Sequence, residues 1–138
     1  HGLAALRVGY GLSHAHIADM LNRARQPFNV NSIAQAAAIA ALADEAHVRA
    51  SLELNRRGMR QMEEGARKLG LCYIPSVGNF ITIDLGRPAG PIDQALLRAG
   101  CITRPVGNYG MPHHLRITIG SEAENARLLA ALAAALAE

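Results

Sequence analysis

The sequence predicts an α/β protein, and three observations point to that class. Residues 71–138 predict the order strand, strand, helix, strand, strand, helix, which fits a small antiparallel or mixed sheet covered by helices on one face. Residues 32–69 predict helices only. The chain has 138 residues, of which 50% are hydrophobic and 18% charged, so its composition favours a packed core over disorder, in one average domain or two small lobes.

The N-terminal region predicts a short extended run followed by a helix. Leu6–Leu12 is a β-type run that is too short to form a core of its own. Ser13 is expected to cap a helix of about 14–25, which Pro27 ends because proline cannot continue a helix. The apolar residues of this helix recur at helical spacing: Ile17, Met20, Leu21 and Ala24.

Two helices are predicted over residues 32–69. The first opens with a capping box of Ser32 and Gln35, and its many alanines favour close packing against another element. Asp44 is expected to cap the second helix, and Gly70 to end it in a left-handed conformation. The second helix carries an apolar stripe: Val48, Leu52, Met59, Met62, Ala66 and Leu69.

The C-terminal half predicts four strands and two helices. The expected strands are Leu71–Ile74, Asn79–Leu85, Cys101–Arg104 and Leu115–Ile119. Pro91, at the first helical position, and Gly100, just past the last, bracket one helix. Ser121 and Glu124 form a capping box for the other helix. Its expected inward residues are Leu128, Leu129, Leu132 and Leu136.

The last predicted strand carries an arginine on one face. Successive strand residues point to opposite faces, so Leu115, Ile117 and Ile119 share one face. Arg116 and Thr118 share the other. An arginine in an apolar strand is costly without an anionic partner. It would either bind the carboxylate or phosphate of a ligand as a bidentate fork, or pair with a surface acid at the sheet edge.

Two further arginines are candidates for anion binding. Arg104 ends the third predicted strand, and the Gly/Pro-rich segment after it brings Arg104 back toward Arg116. Two such cations repel unless an anion lies between them; the alternative is a plain loop. Arg7 lies between apolar runs beside a glycine-rich backbone, where phosphate is the natural partner.

Several classes of function are disfavoured. The net charge is +3, but the positive residues are interspersed with acids, so nucleic acid is not an expected partner. No apolar run reaches the length of a membrane span, so a membrane is not an expected partner either. Cys72 and Cys101 form no disulfide framework, and their apolar surroundings predict buried thiols of a cytosolic protein. His113 and His114 lack partners for a metal site. Catalytic-thiol, phosphate-loop and dinucleotide motifs are also missing from the sequence.

Four segments, in this order and spacing, carry a resemblance to a known family. They are Gly2–Tyr10, Gln26–Asn31, Pro75–Phe80 and Arg104–Pro112, the last running into Leu115–Gly120. Together they resemble the C-terminal part of a class I/II, fold type I pyridoxal-phosphate-dependent aminotransferase, and most closely the histidinol-phosphate aminotransferase family. The similarity covers nearly the whole chain.

The resemblance implies three regions. Residues 1–30 would be the end of the cofactor-binding large domain, and residues 31–69 would be long connecting helices at the hinge. Residues 70–138 would form the small C-terminal α/β domain with a short mixed or antiparallel sheet. A cytoplasmic homodimer is implied for the intact protein.

The resemblance also implies residue roles. Arg7 matches the arginine that binds the phosphate of pyridoxal 5'-phosphate. Arg116 matches the arginine that binds the substrate carboxylate or phosphate, and Arg104 matches a second substrate-anion arginine. Asn31 is expected to approach the substrate near the hinge. No metal is implied.

The Schiff-base lysine of the family would lie just before His1. We therefore expect no catalytic residue within the chain, and we expect the chain alone to be inactive. Lys68 is its single lysine. It follows Arg67 at a predicted helix end and should be solvated, so it is no substitute.

The expected activity of the intact protein is transamination of L-histidinol phosphate with 2-oxoglutarate or glutamate, in histidine biosynthesis. These substrates are small anions, which suits permanently charged arginines. The alternatives are an aromatic or general amino-acid aminotransferase, a threonine-phosphate decarboxylase, or, from another class, a non-catalytic anion-binding or dimerisation module.

Overall fold

Helices and antiparallel strands follow one another in the computed structural model, which describes residues 1–137. The helices are α1 (Ala15–Ala24), α2 (Ser32–Ala43), α3 (Glu45–Lys68), α4 (Ala89–Arg98) and α5 (Glu122–Ala137). The strands are β1 (Cys72–Ile74), β2 (Phe80–Asp84), β3 (Arg104–Val106) and β4 (Met111–Thr118). Short 3₁₀ turns cover Ala4–Leu6 and Gly107–Tyr109. The chain divides into two units, His1–Ala50 and the part that begins at Ser51.

The first unit begins with a turn where the sequence predicted an extended run. Ala4–Leu6 forms a 3₁₀ turn, and Arg7 follows it in the left-handed conformation with φ 54°. The prediction of a β-type run over Leu6–Leu12 is therefore wrong. Apolar residues alone do not make a strand, because the backbone needs a neighbouring strand to pair with.

Two helix caps in this unit differ from prediction. α1 forms as expected, but its N-cap is His14, without a side-chain cap hydrogen bond, rather than Ser13. Asn31, not Ser32, caps α2: its Oδ1 accepts a hydrogen bond of 2.8 Å from the backbone N–H of Ala34. α1 has no buried residue and Ala34 is the one buried residue of α2, so the close packing expected of the alanines is not formed within this unit.

The ends of α3 follow the sequence signals closely. Asp44 caps the helix as predicted, because its Oδ1 accepts a 3.0 Å hydrogen bond from the backbone N–H of His47. At the other end Gly70 adopts φ 71°, its N–H donates to Arg67 at 3.0 Å, and the N–H of Leu71 donates to Ala66 at 2.9 Å. This is the Schellman pattern expected of a glycine after the last turn.

The second unit is built on one antiparallel sheet with the strand order β1-β2-β4-β3. The largest differences from the predicted boundaries are at two strand starts: β3 begins at Arg104 rather than Cys101, and β4 begins at Met111, four residues before the predicted start, Leu115. The Gly/Pro-rich segment after Arg104 is thus not all loop: it contains the end of β3, the 3₁₀ turn Gly107–Tyr109 and the start of β4. Val106 pairs with Met111, and the register shifts between Pro105 and Val106. The thiol of Cys72 in β1 is exposed, not buried as expected.

The helices of the second unit cover the apolar face of this sheet. α4 starts at Ala89, so Pro91 occupies its third position and not its first, whereas Gly100 follows its end with φ 73° as predicted. One core joins the sheet to α3, α4 and α5: Met59, Met62, Ala66, Ile81, Ile83, Ile92, Leu96, Leu115, Ile117 and Leu132. The stripe of α3 is buried only in this part, since Val48 and Leu52 are 39% and 47% exposed.

The capping box of α5 is confirmed. Glu124 Oε2 accepts hydrogen bonds from the backbone N–H and the hydroxyl of Ser121, at 2.8 and 2.7 Å. These hydrogen bonds lower the pKa of Glu124 below its ordinary value. Within residues 1–137, no helix combines the length and apolar character that crossing a bilayer requires.

Candidate functional site

The sheet of the second unit has one apolar and one polar face. In β4, Leu115 and Ile117 point into the core and are 0% and 2% exposed, as the alternation predicted. The register places the intervening residues of β4 beside their partners on β2 and β3, on the opposite side. We call this side the polar face: Phe80, Thr82, Asp84, Arg104, His114, Arg116 and Thr118. The predicted candidate residues Arg104 and Arg116 both belong to it.

Arg104 and Arg116 are directly opposite each other. They are paired residues of the antiparallel strands β3 and β4, so their Cα atoms are about 4.5–5.5 Å apart. The sequence prediction that the chain brings them together is confirmed. Neither arginine forms an ion pair with a carboxylate among residues 1–137. The two side chains carry like charges that repel, so an anion bound between their guanidinium groups would be stabilised by both.

Each guanidinium group lies against an aromatic ring. Arg116 Cζ is 5.0 Å from the centroid of the Phe80 ring, and its Nε is buried without a hydrogen-bond partner. Arg104 Cζ is 5.9 Å from the centroid of the Tyr109 ring, and its Nη2 donates a 3.3 Å hydrogen bond to the Tyr109 hydroxyl. Both distances are within the range of cation–π attraction.

His114 and Asp84 form a second polar pair on the same face. They are cross-strand partners of β4 and β2, and His114 Nε2 lies 3.9 Å from Asp84 Oδ2. His114 Nδ1 is buried and lacks a hydrogen-bond partner within the described chain. Sequence reasoning considered His114 only as a metal ligand. His114 lies two residues before Arg116 in the same strand, and this spacing is the signal that both side chains lie on one face of the sheet.

The loop before β2 is tied to α3. Asn55 Nδ2 donates a 3.0 Å hydrogen bond to the carbonyl of Gly78, and the Ser76 hydroxyl accepts one of 3.1 Å from the Gly78 N–H. The carbonyl of Asn79 accepts a further bond of 2.9 Å from the N–H of Ile119. Asn55, which interrupts the apolar pattern of α3, therefore holds the segment that leads into Phe80.

The other two candidate residues, Arg7 and Asn31, belong to the first unit. Arg7 is exposed, and its Nη1 donates a 2.8 Å hydrogen bond to the carbonyl of Ala4. No carboxylate of residues 1–137 pairs with it. The Oδ1 of Asn31 is used by the cap of α2, which is a structural role that the sequence did not predict. Lys68 is exposed as expected and pairs with Glu64 at 2.8 Å.

Comparison with known proteins gives the family. The model of the family "Aminotransferase class I and II" matches residues 1–132. The chain belongs to this aminotransferase family. The resemblance stated from the sequence motifs is thereby confirmed.

Among curated relatives of this aminotransferase chain, two from Pseudomonas are especially similar. Histidinol-phosphate aminotransferase 2 of Pseudomonas fluorescens (strain Pf0-1) is 64% identical over 137 residues, covering 99% of this chain and 37% of the relative. The protein of the same name from Pseudomonas aeruginosa is 59% identical, with coverage of 99% and 37%. The chain thus spans about 37% of the length of these relatives.

Solved aminotransferase structures share the fold. Histidinol-phosphate aminotransferase from Sinorhizobium meliloti, in complex with pyridoxal-5'-phosphate, is 31% identical with a TM-score of 0.87, covering 99% of this chain and 38% of that one. The enzyme from Clostridium acetobutylicum, at 24% identity, has a TM-score of 0.90 with coverage of 99% and 42%. The expected fold, the C-terminal portion of a fold type I aminotransferase, is confirmed.

Proposed function

We propose that this chain is the C-terminal part of a pyridoxal-phosphate-dependent aminotransferase that exchanges the amino group between L-histidinol phosphate and 2-oxoglutarate or glutamate. The observation that carries the proposal is the directly opposed pair Arg104 and Arg116, which has no carboxylate partner in residues 1–137. The curated relatives that are named histidinol-phosphate aminotransferase 2 support the choice of substrate.

Arg116 binds the anionic group of the substrate in this proposal, and Arg104 assists it. A guanidinium group offers a planar fork of N–H donors that fits either a carboxylate or a phosphate. The same pair therefore accepts the phosphate of histidinol phosphate in one half of the reaction and a carboxylate of 2-oxoglutarate in the other. The charge of arginine is permanent, so binding does not depend on a proton being taken up.

Arg7 holds the phosphate of the cofactor in this proposal. The structure fits that role, because within residues 1–137 the hydrogen bond from Arg7 Nη1 to the carbonyl of Ala4 leaves most of the five N–H donors of Arg7 free. Gly2, Gly9 and Gly11 lie close to it along the chain, and a Cβ atom added at any of them would meet nothing within 4 Å. When bound, the cofactor supplies the electron sink for bond changes at the substrate.

The remaining expectations are part of the same proposal. Residues 1–30 belong to the large domain, 31–69 to connecting helices and 70–138 to the small domain of a cytoplasmic homodimer. Asn31 contributes to the substrate site through its Nδ2, since its Oδ1 caps α2. The Schiff-base lysine would be supplied by the full-length protein.

Substrate profiling of the full-length protein tests the proposal. We expect kcat/KM for histidinol phosphate to exceed that for phenylalanine and leucine by at least tenfold. The reverse order would assign an aromatic or general aminotransferase instead. Release of carbon dioxide from threonine phosphate would assign a decarboxylase, and no turnover with any of these substrates would favour a non-catalytic anion-binding module.

Arginine variants of the same protein test the residue roles. Arg116→Ala should raise KM for both substrates by about 10- to 150-fold, because a charged hydrogen bond contributes about 1.5–3 kcal/mol. Arg7→Ala should mainly weaken retention of the cofactor, measured by dialysis and absorbance. Arg49→Ala is the matched control, since Arg49 is 72% exposed and pairs with Glu45 in α3. A rise in KM in the control equal to that of Arg116→Ala would contradict the assignment.

A further inference from the structure

The two arginines of the polar face are held by aromatic rings rather than by acids. Three arginines of α3 pair with glutamates one turn away, as Arg49 does with Glu45 at 3.1 Å, and one of the three, Arg67, also lies 5.8 Å from the centroid of the Tyr73 ring. Arg116 and Arg104 instead rest on Phe80 and Tyr109, at 5.0 and 5.9 Å. Both members of this repelling pair therefore contact an aromatic ring and lack a carboxylate partner.

An aromatic ring and a carboxylate restrain an arginine in different ways. A carboxylate occupies the N–H edge of the guanidinium group and neutralises its charge, so an anionic ligand must displace it. A ring contacts the flat side of the group and attracts the cation through its quadrupole. The N–H edge and the full charge then stay available to a ligand.

Strand register and a turn bring the rings into place. Phe80 pairs with Thr118, and the next pair on this face is Thr82 with Arg116, so Phe80 is a diagonal neighbour of Arg116 and within reach of its long side chain. Tyr109 ends the 3₁₀ turn that connects β3 to β4, five residues after Arg104. Phe80 is therefore placed by the sheet that aligns the arginines, and Tyr109 by the turn that joins their two strands.

We propose that Phe80 and Tyr109 are positioning residues that hold Arg116 and Arg104 ready for an anionic substrate group without neutralising them. The inference rests on the proposed function in taking the arginine pair as the substrate-anion site. Phe80 has the larger effect, because Phe80 and Arg116 are both half-buried, whereas Tyr109 is 61% exposed and cation–π attraction is weaker in water.

Variants of Phe80 that remove or keep an aromatic ring test the proposal in the full-length protein. Phe80→Leu keeps an apolar side chain but removes the ring, and it should raise KM for histidinol phosphate and 2-oxoglutarate by about 2- to 30-fold. The value of kcat should stay within about twofold, because the ring acts only through binding. Phe80→Trp keeps a ring face and should retain most of the affinity.

Tyr109 offers its own matched pair. Tyr109→Phe removes the hydroxyl that accepts from Arg104 but keeps the ring, and Tyr109→Leu removes both. The leucine variant should raise KM by about 2- to 5-fold, the range of an exposed cation–π contact, and the phenylalanine variant by less. Equal increases in KM for Phe80→Leu and Phe80→Trp would overturn the proposal, since a ring at position 80 would then make no difference.

A double variant and a spectroscopic readout separate this inference from the proposed function. In the background of Arg116→Ala, Phe80→Leu should cause no further rise in KM; an undiminished rise would show that the ring acts independently and would overturn the proposal. The NMR signal of the Arg116 Nε–H, titrated with inorganic phosphate, should show a weaker phosphate Kd in Phe80→Leu than in Phe80→Trp. This pattern supports the positioning role even if histidinol phosphate is not the substrate, and equal Kd values contradict it.

Discussion

Replacement of Gly58 by alanine should loosen the segment that follows β4. Gly58 lies inside α3, and a Cβ atom there would overlap Ile119 Cγ2 and lie 2.9 Å from Asn125 Nδ2 and 3.2 Å from the carbonyl oxygen of Gly120. The helix crosses this segment so closely because position 58 has no side chain. Ile119 and Gly120 directly follow the strand that carries Arg116.

The expected cost follows from three opposing effects. Alanine gains about 1 kcal/mol over glycine inside a helix, whereas overpacking a close contact costs about 1–3 kcal/mol. Displacing Asn125 also disturbs its hydrogen bonds with Gly120 and Gln61, at 2.9–3.1 Å, and a buried polar group left unpaired costs about 1–3 kcal/mol. The net destabilisation is therefore about 1–5 kcal/mol.

Hydrogen–deuterium exchange measures this local stability directly. Backbone amides of residues 119–125 should exchange at least about fivefold faster in Gly58→Ala, since 1.4 kcal/mol corresponds to a factor of ten. Gly90→Ala is the control, because position 90 in α4 has nothing within 4 Å of an added Cβ. Slower exchange in Gly58→Ala, or the same small change in both variants, would refute the argument from close approach.

Three further predictions concern single contacts in the second unit. Glu124→Ala should lower the urea midpoint at pH 7, and this effect should shrink as the pH is lowered below 4.5: the pKa of Glu124 is lowered from its ordinary value of 4.5 in the folded chain, so its stabilisation is present above that value and is lost as the pH falls through the folded pKa. Thr103→Val should destabilise the chain by about 1–3 kcal/mol in urea unfolding, because it removes the 2.6 Å hydrogen bond to buried Asp93. Gly100→Ala should lower the thermal midpoint while Gly90→Ala does not, since only Gly100 has a positive φ of 73°.

Structural features that depend on a short local pattern or on one residue were predicted correctly from the sequence. The alternation of Leu115 to Ile119 gave the correct inward face, and Gly70 and Gly100 end their helices because a left-handed residue is needed there. Where two neighbours had similar propensities, the sequence was ambiguous. Asn31 and Ser32 are both good caps, and only the backbone geometry selects Asn31.

The candidate site was predictable in part. The proximity of Arg104 and Arg116 followed from a strand, a turn-rich segment and a second strand, all close together along the chain. The contact of Arg116 with Phe80 was not predictable from the sequence, because it depends on the pairing of β2 with β4 across the intervening α4 and β3. The pairing of His114 with Asp84 was missed for the same reason, since no local pattern sets the register between distant strands.

Burial of the apolar face of β4 keeps the two arginines of the polar face aligned. Arg104 and Arg116 repel each other, so their own interaction works against their alignment. The alignment is maintained because Leu115 and Ile117, on the other side of the same strand, are almost completely buried. A slip by one residue would expose both and turn Arg116 into the core, which burial and charge both oppose. The free energy of core packing thus holds two like charges together, and an anionic ligand that binds between them relieves the repulsion that the fold imposes.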